Sequence, residues 1–294
     1  MAQVSAIAPT PLGFAKDIIE LGKPRVTSLV IFTTACGFWL APPSGRSGWN
    51  TLAFLFATSM LVASANTLNC WVERDSDGRM LRTRNRPLPA GRMAPGVALV
   101  WGTVLGLGAL TALFFAANLL TAFLGAVALS VYVLVYTPLK RVSPAALYIG
   151  SVPGAIPPLM GWAYATGGLA APGWFLFALL LVWQIPHFIA ISVYLEEDYR
   201  RGGLQVLPVV KGGPAAWRRM ILTACLLFLV SLAAVPLKLA GPYYFAVALV
   251  AGGGFIYSAT TGARTGTVRA GRNTFIVSIV YLMAMVSALI LDKV

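Results

Sequence analysis

Apolar runs, each long enough to cross a bilayer, recur through almost all of this sequence, at roughly 25–43, 50–71, 94–115, 117–137, 145–165, 172–194, 218–236, 242–261 and 273–291. A hydrocarbon core of about 30 Å needs about 20 such residues as a helix. In lipid every backbone N–H and C=O must find its partner within the protein, so runs of this kind fold as helices. The expectation is an all-α polytopic membrane protein: one membrane domain over 1–294, with about nine transmembrane helices in 25–291 arranged around a central intramembrane cavity. A composition of 58% hydrophobic and 11% charged residues excludes an ordinary soluble domain.

Residues 1–24 read as a cytoplasmic tail. No basic start followed by an apolar run and a cleavage site is present, so no signal peptide is expected. Pro9, Pro11 and Gly13 suggest mobility. Phe14, Ile18, Ile19 and Leu21 then alternate with Lys16, Asp17, Glu20 and Lys23. A helix lying in the membrane interface and an ordinary solvated helix both fit that pattern. Cys36, Cys70 and Cys225 are scattered without metal-site spacing and read as small apolar fillers.

Charge sets the orientation. Of the 22 basic residues, only Arg46, Lys238 and Lys293 fall on the other side from the rest. The positive-inside rule therefore places the N-terminus in the cytoplasm and, with nine spans, the C-terminus outside. The net charge of +13 is thereby explained as topology, with no nucleic acid required.

The acids need a separate explanation, because they contribute little to topology. Six of the nine, Glu73, Asp75, Asp77, Glu196, Glu197 and Asp198, sit in two cytoplasmic segments at the inner ends of helices. If the second helix continues past the headgroups, Asn69, Glu73 and Asp77 share one stripe at i, i+4 and i+8. Asp75 faces away and reads as an i to i+4 pair with Arg79. Two carboxylates and an amide oxygen make half a shell for Mg²⁺, which takes its remaining oxygens from phosphates and water. Arg82, Arg84, Arg86 and Arg92 follow, and guanidinium forks suit phosphate. Loop-anchoring arginines that merely neutralise the acids explain the charge pattern equally well.

Glu196, Glu197 and Asp198 close the sixth helix, followed by Arg200 and Arg201. Of these acids Asp198 is the site candidate. On that helix His187, the only histidine, shares a face with Ile191, Tyr194 and Asp198 and lies deep in the bilayer. A histidine bonded between helices and a histidine touching a cofactor-like substrate, including as an iron ligand, both fit. At the inner end of the fourth helix, YTPLKR places Tyr136 and Lys140 four apart, with Arg141 beside them. Snorkelling anchors and the wall of an anion pocket are the alternatives here.

On these residues the sequence resembles the UbiA superfamily of membrane prenyltransferases over nearly its full length. The segments NCWVERDSDGRMLRTRNRP at 69–87, PGAIPPLMGW at 153–162, WQIPHF at 183–188, and the later DY and LPVV are similar to its haem-farnesylating branch. Glu73 stands where that family's pattern usually has Asp, and Asp198 is the confident acidic match in the second loop. The resemblance implies Asn69, Glu73, Asp77 and Asp198 as catalytic residues and Mg²⁺ ligands, with Arg82, Arg86, Tyr136, Lys140 and Arg141 on the diphosphate. With haem as the acceptor, His187 is the candidate haem-binding residue.

It further implies farnesyl diphosphate as donor, haem B as acceptor, and haem with a hydroxyethylfarnesyl side chain as product. The setting is a bacterial inner membrane, with membrane lipid around the chain and a haem-handling enzyme as partner. Trp71, Trp162, Trp183 and Tyr194 are candidates to steady an allylic cation, although a Trp or Tyr near a helix end is more often an interface anchor. Two rival readings stand beside this one: prenylation of a quinone-precursor aromatic, and solute transport. The acids cluster at one membrane face rather than at the midplane, which argues against a transporter.

Overall fold

The computed structural model describes residues 11–293 and is helical, with no β-strand among them. The elements are α1 (Pro11–Leu21), α2 (Pro24–Leu40), α3 (Gly48–Arg79), α4 (Pro95–Ala116), α5 (Leu119–Leu139), α6 (Ala146–Thr166) and α7 (Ala171–Tyr194). They continue with the short α8 (Glu196–Gly202) and α9 (Leu207–Lys211), then α10 (Gly213–Leu232), α11 (Pro242–Thr265) and α12 (Val268–Leu291).

Among the described residues, nine long helices stand where the sequence places its nine spans. Seven are long and apolar enough to cross a membrane by length and composition; α2 and α6 fall outside that set. The reason differs. Helix α2 has only 17 residues, whereas α6 is buried along most of its length and need not match lipid.

Local chemistry fixes the ends. Ser47, Asn118 and Thr267 each accept the backbone N–H three residues on, capping α3, α5 and α12. Pro24, Pro95 and Pro242 open α2, α4 and α11, where a missing N–H costs nothing. Pro11 and Gly13 lie at the start of α1, and Pro9 is outside the described residues.

Helices α6 and α7 are the central pair. Helix α6 packs on α2 and α5, with α3 and α4 paired outside those two, while α7 packs on α10 and α12, with α11 between those two. Large apolar side chains such as Phe56, Leu107, Leu134, Leu229 and Val250 point outward, as lipid contact requires. Helix α1 and Lys293 lie at opposite ends of the bundle: Lys293 donates to the Trp39 and Ala41 carbonyls, while α1 packs near Arg92 at the basic end.

The PGAIPPLMGW segment is where backbones meet. A Cβ on Gly161 would stand 2.0 Å from the Thr34 carbonyl, and one on Gly37 would stand 1.9 Å from the Pro158 carbonyl. Small residues at such crossings permit van der Waals packing that lipid-facing surfaces cannot supply. Gly161→Ala is therefore expected to destabilise the protein by about 1–3 kcal/mol, the usual cost of overpacking. A lower thermal midpoint in detergent is the readout, and an unchanged midpoint would remove this crossing from the account.

Candidate active site

Helix α3 does not stop at the limit of its apolar run. It continues to Arg79 and carries Asn69, Glu73 and Asp77 on one stripe, each at most 5% exposed. Buried charges persist when they are paired and hydrogen-bonded. Glu73 Oε1 accepts from Lys140 Nζ at 2.7 Å, and Asp77 Oδ2 accepts from Arg86 at 2.6 Å.

Asn69 is oriented by a relay. Its amide nitrogen donates to the Thr137 hydroxyl, which donates in turn to the Tyr132 carbonyl, leaving Asn69 Oδ1 to accept from Lys23 Nζ at 2.8 Å. The stripe thus presents three hard oxygens, each facing a cationic group.

Helix α5 supplies Lys140 through a local distortion. Residues Val131–Tyr136 form a π-helix, and the Thr137 N–H reaches back to the Tyr132 carbonyl. Pro138 explains it: the ring has no N–H and would crowd the carbonyl four residues earlier, so the turn widens. Lys140 then lies 4.5 Å from the centre of the Tyr136 ring. Burial alone would lower the Lys140 pKa, but the Glu73 carboxylate holds it well above the ordinary lysine value.

Lys23 is the residue that sequence reasoning missed. The sequence shows it as a polar position of the first short helix and a topology charge, yet it is in the left-handed region at φ 49° and its ammonium is deep in the site, where burial pushes its pKa down. Its position immediately before Pro24 was the available signal, since the ring disfavours helical geometry in the preceding residue.

The sixth span ends where its apolar run does, but the acids do not continue it, so Asp198 is not on the helical face of His187. Helix α7 ends at Tyr194, Leu195 leaves helical geometry, and Glu196–Gly202 forms the separate α8. Glu196 and Glu197 pair with Arg200 and Arg201 one turn on and are surface ion pairs. Asp198 accepts the backbone amides of Leu81 and Arg82 at 3.0 and 3.2 Å, so it fastens α8 to the segment after α3.

The remaining basic residues divide. Arg82 is exposed, and its backbone rather than its guanidinium meets Asp198. Arg141 donates to the Val72 carbonyl and braces α3 from outside the stripe. Arg92 pairs with Asp17 and Glu20 and ties α1 down, while Asp75 lies beside Arg74 rather than the expected Arg79.

Asp198→Asn should loosen the segment after α3, because a charge-assisted hydrogen bond contributes about 1.5–3 kcal/mol and the amide can replace only one of the two acceptors. Faster tryptic cleavage after Arg82 or Arg84 is the expected sign. Cleavage at the wild-type rate would show that the clamp is not holding the loop.

A cavity of about 160 Å³ opens beside the stripe between α5, α6, α7 and α8. It is lined by Tyr136, Lys140, His187 and Tyr199, among others, and so joins the charged end of the site to the lone histidine. A larger groove of about 680 Å³ lies on the outer side of α1–α4, with Gly22, Ile31, Phe56 and Trp101 on its wall. Of the candidate aromatics, Trp183 stacks on His187 and Trp71 lies under Arg74; Trp162 packs on Gly173, with its indole N–H buried and unpartnered.

No group of three or more His, Cys, Asp or Glu side chains is arranged to hold a metal among the described residues. Two carboxylates and an amide oxygen are nevertheless a sufficient protein share for Mg²⁺ when phosphate oxygens complete the shell. The donor set therefore fits that ion with a diphosphate, and would fit a soft metal poorly.

The chain is similar to known proteins in both sequence and fold. The profile of the UbiA prenyltransferase family matches residues 30–290. A protein named "Protoheme IX farnesyltransferase" from Anaeromyxobacter dehalogenans (strain 2CP-C) is 50% identical over 286 residues, covering 97% of each chain. One of the same name from Cyanothece sp. (strain PCC 7425 / ATCC 29141) is 41% identical, covering 93% of this chain and 86% of its own. Among solved structures, that of a digeranylgeranylglyceryl phosphate synthase superposes with TM-score 0.79 at 17% identity, covering 95% of this chain and 98% of that one. A UbiA homolog from Archaeoglobus fulgidus bound to GPP and Mg²⁺ gives 0.68 at 15%, covering 93% and 99%. The two structures share the fold and the first relatives share the sequence: this chain belongs to the UbiA prenyltransferase family.

Proposed function

We infer that this membrane prenyltransferase moves a farnesyl group from farnesyl diphosphate to a vinyl group of haem B, giving haem O and diphosphate. The observation that carries the reading is the buried stripe of Asn69, Glu73 and Asp77, with Lys23, Lys140 and Arg86 held against it. The choice of haem as acceptor is supported by the relatives of that name, which match over nearly the whole chain. The basic end faces the cytoplasm in this reading, with the N-terminus inside.

Asn69, Glu73 and Asp77 would hold Mg²⁺, and Asp198 acts as the clamp that keeps the two segments of the site together. Bound there, the ion supplies charge neutralisation for the leaving diphosphate. The protein's own cations then change partners: Lys140, Arg86 and Lys23, paired with acids or an amide oxygen in the resting site, turn to the diphosphate oxygens. Such preorganised charges stabilise the negative charge that grows as the allylic C–O bond breaks.

Tyr136 holds Lys140 from behind through its ring face. The farnesyl C1 is attacked by the terminal vinyl carbon, and hydroxide from water adds to the carbon beside the ring. One proton and diphosphate are released. Apolar walls around the cavity keep water from the allylic cation until the new bond has formed.

The test is to incubate the purified protein with farnesyl diphosphate, Mg²⁺ and either haem B or a prenylatable aromatic acid, and to analyse the products by mass spectrometry. Haem carrying the hydroxyethylfarnesyl group, lost on chelation of the metal, is the expected product. A prenylated aromatic acid with no change in haem would transfer the same machinery to the quinone-precursor reaction.

A further inference from the structure

His187 is held more rigidly than a histidine that merely bridges helices requires. Its ring lies between Trp183, with centroids 4.5 Å apart and planes at 25°, and Phe275, at 4.9 Å and 34°. Its Nδ1 is 2.7 Å from the Ser278 hydroxyl. That hydroxyl has one proton, and its other neighbour, 2.6 Å away, is the Phe275 carbonyl, which can only accept.

The proton on Ser278 therefore points at Phe275, and Ser278 Oγ accepts from Nδ1–H. This network leaves Nε2 unprotonated in the neutral ring. The Ser278 carbonyl also accepts from Trp183 Nε1 at 2.8 Å, so one residue of α12 fixes both the imidazole and the indole stacked on it. With Trp183 and Phe275 packed on the ring and Nδ1 engaged, Nε2 is the ring nitrogen left for the cavity that His187 lines with Tyr136 and Lys140.

A neutral imidazole whose distal nitrogen is bonded and whose other nitrogen carries a lone pair into a cavity is the arrangement metal-ligating histidines adopt. We propose that His187 Nε2 ligates the iron of the haem acceptor, and that Ser278, Trp183 and Phe275 are positioning residues that fix the ring for it. This rests on the reading that haem is the acceptor. Ligation from α7 anchors the porphyrin by its centre, so that a vinyl edge can extend toward the end of the cavity where Lys140 and the diphosphate lie. At about 160 Å³ the cavity is smaller than a typical ligand pocket, so its walls part around the ring as it binds.

Because His187 is the only histidine, labelling is unambiguous. Untagged protein made with ¹⁵N-histidine and loaded with ferric haem should show, by pulsed EPR, one strongly coupled ¹⁵N characteristic of direct coordination. His187→Phe, which keeps an aromatic ring between Trp183 and Phe275, should lose the coupling and the preference for haem over metal-free protoporphyrin. Ser278→Ala should weaken haem binding by about 10–100-fold, as loss of such outer partners does. Ser278→Thr, which restores a hydroxyl, should recover it.

A haem-loaded wild-type protein without that coupling, or one binding haem and protoporphyrin equally, overturns the ligation even if it still prenylates haem. Protein that binds neither porphyrin, and prenylates neither, overturns the acceptor reading and the ligation with it.

Discussion

Asp77→Asn is expected to lower turnover by about 10²–10³-fold, the size of effect seen when one preorganised electrostatic contact at a developing charge is removed. The side chain keeps its shape but loses the charge that holds Arg86 at 2.6 Å and, in the proposed mechanism, helps hold the metal. A stability effect must be separated from this. Asp77 is 1% exposed as a side chain, but Arg86 is 21% exposed and can reach solvent when unpaired. The cost should be about 1–3 kcal/mol, that of a buried group left without its partner, rather than that of a fully sealed ion pair.

The double variant Asp77→Asn/Arg86→Gln separates the two effects. Removing the orphaned charge should restore most of the thermal midpoint while turnover stays low. If turnover returned together with the midpoint, Asp77 would be a packing residue.

Lys140→Met should be the more damaging of the two. It keeps the length of the side chain and removes the ammonium that lies 2.7 Å from Glu73 with only 19% of its side chain exposed. The Glu73 carboxylate, 7% exposed, is then buried without its direct partner, a situation that costs about 3–5 kcal/mol. On the reaction, Lys140 acts on charge that appears as diphosphate departs, so kcat should fall by about 10²–10³-fold with a smaller change in KM. Lys140→Arg keeps the charge on a bulkier head, and should recover stability before it recovers kcat, because the guanidinium does not fit over the Tyr136 ring in the same way. A large rise in KM with kcat intact would make Lys140 a donor-binding residue only.

What the sequence made legible follows from period and pairing. Asn69, Glu73 and Asp77 repeat every four residues, and like charges on one helical stripe are costly unless something compensates them, so the stripe was readable without a structure. That α3 continues to Arg79 follows from the same compensation: Lys140 and Arg86 permit the acids to be buried beyond the apolar run.

The end of the sixth span at Tyr194 was readable from its apolar run, but the turn of separate helix over Glu196–Gly202 was not, because no Gly or Pro marks the break at Leu195. The roles of the cations were equally hidden. A lysine or arginine at the basic end of a membrane helix has the same local sequence whether it snorkels, braces a carbonyl as Arg141 does, or enters the site as Lys23 does. Ser278 is the clearest case: a serine in an apolar run carries no message until α12 is placed against α7, 91 residues away, and its single proton can be assigned.

The central claim is that the Asn69–Glu73–Asp77 stripe is where metal and diphosphate meet. Pulsed EPR on protein carrying Mn²⁺ in place of Mg²⁺, with a non-reactive farnesyl thiodiphosphate bound, tests it most directly through the coupling between the metal and ³¹P. A resolved ³¹P coupling in the wild type that disappears in folded Glu73→Gln/Asp77→Asn protein is the predicted result. The same coupling at the same Mn²⁺ affinity in that variant would place the metal and the diphosphate elsewhere in the bundle.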